Sequence, residues 1–216
     1  MKIDAHVHTK EAPAGCGKIP ARELVKIYKE CGYDGIVVTN HLKSNYLKSG
    51  LIPQFLSAFD LAKEEGNKVG LKVFLGAEMG HFGTDYLLFG LSRETISDKR
   101  FFDKKFENIK TTCHKEGGVI IQAHPCREKR GRFQFRINQN CDGYEIINGH
   151  PKSNQHNDLT SLYALSRGDV ITTAGSDCHF ESGACRAAII FSEDIENEEE
   201  LVLALKNRKY RLQQYF

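Results

Sequence analysis

The chain has 216 residues, about one domain's length, and its 40% hydrophobic and 27% charged residues exclude a disordered or fibrous protein. Thirty Lys and Arg against 28 Asp and Glu leave a formal charge of +2, so no overall field draws the protein to nucleic acid or to a membrane surface. The seven cysteines form no Cys-x-x-Cys pair and read as reduced thiols; with no signal-like apolar start and no run near bilayer length, a cytoplasmic single domain over 1–216 is expected, with no membrane and no obligate protein partner.

The first β-type run is Ile3 to Val7. Pro20 then marks a helix start, Leu24, Ile27, Tyr28 and Cys31 recur at helical spacing, and Gly32 supplies a stop, which predicts a crossover helix. A run over Gly35 to Thr39 is followed by Phe55, Phe59 and Leu61 in a helix expected to end at Gly66. Runs over Leu71 to Leu75 and Tyr86 to Phe89 come next, and Phe102, Phe106, Ile109 and Cys113 then predict a helix before Gly117. These aromatics are expected in the core. The runs Val119 to Ala123, Tyr144 to Ile147, Val170 to Thr173 and Ala187 to Phe191 complete the β set. Near the end, Glu198, Glu199 and Glu200 precede Leu201, Leu203 and Leu205, with Lys206, Arg208 and Lys209 after them, charges that suit the two ends of a helix dipole. Alternation of this kind predicts an α/β fold with a parallel sheet.

Ligand-type side chains follow these runs: His6 and His8 at the end of the first, His41 after the second, then Glu78, His124, and Asp177 with His179. In a barrel of parallel strands the carboxyl ends converge on one face, where such enzymes place their chemistry. Alternation along an extended strand puts His6 and His8 on one side, and likewise Asp177 and His179. Imidazole and carboxylate without thiolate suit Mn²⁺, Zn²⁺ or Fe²⁺. Seven ligands exceed what one catalytic ion takes, so two or more divalent cations are expected, with Glu78 as a candidate bridge. His114 falls in the predicted helix before Gly117, His81 and His156 fall in polar loop stretches without a matching partner, and all three are left out.

The motifs Asp4-Ala-His-Val-His-Thr9, Val38-Thr-Asn-His41, Gly76-Ala-Glu78, Ala123-His-Pro125 and Gly175-Ser-Asp-Cys-His179, in that order, resemble the PHP (polymerase and histidinol phosphatase) domain family. The resemblance runs from about Lys2 to Phe191. It implies a distorted (β/α)7 TIM-like barrel whose cluster holds up to three metals for phosphoester hydrolysis, with ligand roles falling on His6, His8, His41, Glu78, His124, Asp177 and His179. Three positions depart from the family pattern. Asn40 stands where Asp is usual and places no negative charge behind His41. The loop after His8 offers Glu11 or Cys16 in place of an acidic or His ligand, and Asp85 is the nearest replacement for a His expected near Tyr86.

Hydrolysis by a metal-bound hydroxide requires no Ser or Cys nucleophile, and no side chain is assigned as the acid. Arg127, Arg186 and His150 are candidate substrate contacts at the mouth, the two Arg as forks to phosphate oxygens. The expected function is a phosphatase of a small phosphomonoester, such as histidinol phosphate or a nucleotide. The basic stretch from Arg127 to Arg136, with Phe133 and Phe135, keeps a phosphodiesterase or exonuclease on short oligonucleotides as an alternative. Asn40 and the altered first loop keep a metal-binding domain without turnover as another. An amidohydrolase ranks below these, since no Lys follows a middle strand as a bridging carbamate.

Overall fold

Short aliphatic runs, apolar on both faces, become the buried staves of a nearly closed barrel. The computed structural model describes residues 1–128, 131–133, 135–152 and 154–215. In chain order the elements are β1 (Lys2–Val7), α1 (Ala21–Glu30), β2 (Gly35–Val38), β3 (His41–Leu42), α2 (Asn45–Lys48), α3 (Ile52–Val69), β4 (Lys72–His81) and β5 (Thr84–Phe89). There follow α4 (Arg93–Ser97), α5 (Phe106–Lys115), β6 (Val119–Gln122), β7 (Gly143–Asn148), α6 (Asn157–Arg167), β8 (Ile171–Gly175), β9 (Ala187–Phe191), α7 (Glu198–Asn207) and β10 (Tyr210–Gln214).

The staves run β1-β2-β4-β5-β6-β7-β8. The ring closes just past β8, where Cys178 bridges Val7 and exchanges backbone hydrogen bonds with His6 and His8. The α/β barrel expected from the sequence is therefore present, but its sheet is not wholly parallel. β5 runs antiparallel to both β4 and β6, and β9 and β10 form an antiparallel flap on the outer edge of β1. A tight hairpin at Phe82 and Gly83, both with positive φ, replaces a crossover helix. It also brings the start of β5, with Asp85, to the mouth beside the end of β4.

Two apolar clusters hold the barrel. One lies between the sheet and the helices, with Leu24, Val25 and Tyr28 of α1 against Phe55, Phe59 and Ala62 of α3. The other gathers Ile3, Ala5, Val37, Phe74, Leu87 and Ile121 and is closed by Leu201, Val202 and Leu205 of α7. A register irregularity between Asp4 and Val7 breaks the alternation of β1, so Ile3 and Ala5 pack in the second cluster and Val7 in the first. Asp4 consequently meets the hydroxyl of Tyr28 at 2.8 Å, while His6 turns to the barrel mouth.

Some sequence expectations are corrected. α3 continues through Gly66 to a left-handed Gly70. Gly66 is needed for close packing, because a Cβ there would lie 2.5 Å from the Leu71 carbonyl oxygen. Phe55 and Phe59 are buried, but Phe102 and Phe106 are only half-buried, and Leu61 and Leu203 are exposed. At the start of α7 the cap is Asn197, which accepts from the Glu200 amide, while Glu198 Oε1 reaches across to accept from the Leu75 amide of β4. No helix among the described residues is long and apolar enough to cross a membrane.

Candidate metal centre

β1 and the segment following it bring the first two imidazoles together. His6 Nε2 lies 3.1 Å from His8 Nε2, and Asp177 Oδ1 lies 3.4 Å from each of these nitrogens. Asp177 and His179 reach the mouth by a route that strand alternation does not describe. β8 ends at Gly175, and Asp177 adopts a left-handed backbone with φ 49°. Strained conformations of this kind cluster at functional sites, and His124, beyond β6, has another, with φ 32°.

Glu78 does not follow its strand but lies inside the long β4, opposite His41 of β3. Its Oε1 is 3.0 Å from His124 Nε2. Its Oε2 is 3.0 Å from His41 Nδ1, 3.4 Å from His8 Nε2 and 3.6 Å from His6 Nε2, yet is buried without a well-formed hydrogen bond. A buried, unsatisfied carboxylate oxygen is costly. Ringed by imidazole nitrogens, it is what a bridging ligand between divalent cations presents, and the donor set fits such ions.

Three groups have donor atoms within 4.8 Å of one another: His6, His8 and Asp177; Glu78, Asp85 and His124; and His8, Cys16, His41 and His179. All seven side chains expected at the mouth thus gather there, joined by Asp85 and Cys16. Cys16, one of the two substitutes the loop after His8 offers, stands among these imidazoles. Glu11, the other substitute in that loop, accepts from the Ala21 amide at the start of α1. Asn40 does not stand behind His41: its Oδ1 accepts from the Thr9 amide at 2.8 Å and pins the exit of β1.

Burial opposes charge throughout the site, and mutual attraction overrides it. Burial pushes Glu78 and Asp177 upward, but His41, His6 and a bond to His124 hold Glu78 well below the carboxylate range, and His6 and His8 do the same for Asp177. Burial disfavours charge on His6 and His41, yet Glu145, Asp177 and Glu78 hold His6 well above its ordinary value, and Glu78 with Cys16 holds His41 at about 10. Burial would raise the Cys16 thiol, but bonds from His179, His41 and His8 bring it down to about 3.

Glu145, in the middle of β7, was not singled out by sequence reasoning. It is buried, its Oε1 lies 2.9 Å from His6 Nδ1, and its Oε2 accepts from the His124 amide. A carboxylate inside an apolar strand run is the signal that could have found it. Gly175 supports the same corner: a Cβ there would lie 2.3 Å from His6 Cβ and 3.0 Å from Glu145 Oε1.

The candidate substrate contacts stand further out. Arg127 donates from Nη1 to Asp177 Oδ2 at 2.9 Å, with Nη2 3.8 Å from Asp85. The His150 ring lies 5.6 Å from that of His179; burial lowers its pKa to about 4. Arg186 donates from Nε to the Gly149 carbonyl and bonds no member of the cluster among the described contacts. Lys129, Arg130 and Gln134 of the basic stretch lie outside the described residues. His81, His114 and His156 are elsewhere, paired with the Lys104 carbonyl, Asp142 and Glu128.

The solved structures with a similar fold include a two-domain protein containing a predicted PHP-like metal-dependent phosphoesterase from Bacteroides vulgatus. It superposes with a TM-score of 0.73 at 18% identity over all of this chain, which spans 65% of that protein's length. The fold is PHP-like. A proposed metal-dependent phosphoesterase from Bifidobacterium adolescentis superposes with a TM-score of 0.60 at 17% identity over 94% of this chain and 95% of its own. An amidohydrolase from Chromobacterium violaceum gives a TM-score of 0.54 at 12% identity, covering 82% of this chain and 87% of its own. The family model described as PHP-associated matches residues 157–210, the segment that carries Asp177 and His179. Together these likenesses support the PHP-domain family. No curated protein matches the sequence.

Proposed function

We propose that the protein is a metal-dependent hydrolase of phosphate esters, first of all a phosphatase of small phosphomonoesters. Two or three divalent cations would be held by His6, His8, His41, Glu78, His124, Asp177 and His179, with Asp85. The unsatisfied Glu78 Oε2 among three imidazoles carries this reading, and the PHP-like fold supports it. Bound there, such cations would supply charge neutralisation for phosphoryl oxygens and the acidification of water that P–O cleavage needs at neutral pH.

The chain's own groups supply orientation. Glu145 fixes the His6 ring through Nδ1, leaving Nε2 for the mouth. Arg127, tethered to Asp177, stands where a guanidinium can fork to phosphate oxygens. His150 Nδ1 accepts from the Lys152 amide at 3.2 Å, so its neutral ring carries the proton on Nε2 and offers substrate a donor rather than a base. Arg186 forms an outer contact beside Gly149. A cytoplasmic setting suits the free thiols.

Phe133 and Phe135, 48% and 54% exposed, favour a second function, a phosphodiesterase or exonuclease on short oligonucleotides, by offering faces for base stacking. The test is phosphate release from an aryl phosphate and cleavage of a dinucleotide, each with Mn²⁺. The monoester alone is expected to turn over, with release lost in His8→Ala and Asp177→Ala while the fold is kept. Dinucleotide cleavage alone supports the second function. Retained metal without hydrolysis of any phosphoester overturns both.

A further inference from the structure

Cys16 brings to the mouth a donor of different chemistry from the oxygens and nitrogens around it. It lies half-buried in the loop between β1 and α1, in the group with His8, His41 and His179. The loop is fixed in place. Lys18 donates its amide to the His179 carbonyl at 2.7 Å, and Lys10 donates to Ile19. At Gly17 a Cβ would lie 2.6 Å from the Thr9 carbonyl oxygen, so the chain folds back tightly on the exit of β1 and sets the sulfur over the imidazoles.

His8 divides its two nitrogens. Nε2 faces His6 and Asp177, while Nδ1 faces Cys16 Sγ at 3.9 Å. It therefore serves the inner group through Nε2 and orients toward the sulfur through Nδ1, which leaves Cys16, His41 and His179 as the outer donors. The buried Glu78 Oε2, which lacks a well-formed hydrogen bond, borders them 3.0 Å from His41 Nδ1. An unsatisfied anionic oxygen thus points to a cation from the opposite side.

We propose that Cys16, His41 and His179 form a thiolate-containing cation site that takes Zn²⁺ in preference to Mn²⁺ or Mg²⁺. Thiolate is a soft ligand that selects zinc over the harder ions, which carboxylate and water suit. The site rests on the proposed function in placing cations at the mouth, and goes beyond it in naming the sulfur and the ion it favours.

The test uses the whole chain with Co²⁺ and Zn²⁺ as probes. Co²⁺ is expected to give sulfur-to-metal charge-transfer absorption in the near ultraviolet, absent in Cys16→Ser. After dialysis against excess Mn²⁺ the variant should retain about one zinc fewer per chain than the parent. In the unaltered protein, Zn²⁺ should slow alkylation of Cys16 about tenfold, because the free thiolate is the reactive form, without protecting the exposed Cys31. Co²⁺ binding with no such absorption, or Cys16 alkylated equally fast with Zn²⁺ present, overturns the thiolate site and leaves the proposed function standing. Failure of the unaltered chain to retain any of these ions overturns both.

Discussion

Glu145 Oε1 lies 2.9 Å from Nδ1 of His6, with both side chains fully buried. A carboxylate behind a ligating imidazole fixes its orientation and raises its basicity, and losing such a partner costs about 10- to 100-fold in metal affinity. Glu145→Gln is expected to weaken Mn²⁺ or Zn²⁺ binding by that factor in equilibrium dialysis while keeping the circular dichroism of the parent. Unchanged affinity would remove Glu145 from the site.

Gly175 leaves no space for a side chain, since a Cβ would meet His6 Cβ at 2.3 Å and the His6 amide nitrogen at 2.8 Å. Neither the Cβ nor the backbone can swing away, so Gly175→Ala must separate β8 from β1. Overpacking of this kind typically costs about 1–3 kcal/mol. Denaturant unfolding should show at least that loss, together with weakened metal binding; parental stability would mean that the two strands can part freely.

Cation binding should expel protons. Against burial, which disfavours charge, Glu78 and Cys16 hold His41 protonated up to about 10, and nearby carboxylates hold His6 well above its ordinary value. A metal needs these imidazoles neutral, so affinity should rise with pH across the neutral range and fall on acidification. Calorimetry in two buffers of different ionisation enthalpy should report proton release. A buffer-independent enthalpy would show that the imidazoles are already neutral.

Asp4 has the opposite sign from most carboxylates. Burial raises it from 3.8 to about 6, despite bonds from Ser176, His6 and Tyr28. Its folded pKa exceeds its unfolded one, so its contribution to stability is fully present below about 4 and is lost as pH rises through about 6. A shift of this size corresponds to about 3 kcal/mol. In metal-free protein, Asp4→Asn should therefore gain stability relative to the parent between those pH values by an amount of that order. A difference that stays flat with pH would contradict the burial argument.

The strand runs and the order of the ligands were legible because parallel barrel staves are continuous apolar segments with chemistry at their ends. Ile3 to Val7 and Ala187 to Phe191 appear almost as read. The direction of β5 was not legible, since periodicity carries no polarity and the hairpin at Phe82 and Gly83 is only two residues long. Gly66 looked like a stop because local propensity reports nothing of the Leu71 carbonyl that packs against it. Cys16 and Asp85 stood out only as substitutes in a motif, and it is the fold that carries each to its neighbours. Glu145 acts through a contact 139 residues away in sequence, which no local pattern encodes.

Anomalous diffraction from crystals soaked in Mn²⁺ and Zn²⁺ bears most directly on the central claim. Peaks are expected among His6, His8 and Asp177, and among Glu78, Asp85 and His124, with Glu78 between them. A mouth without anomalous density at saturating metal, or metal bound only at sites such as His114 and Asp142, would contradict it.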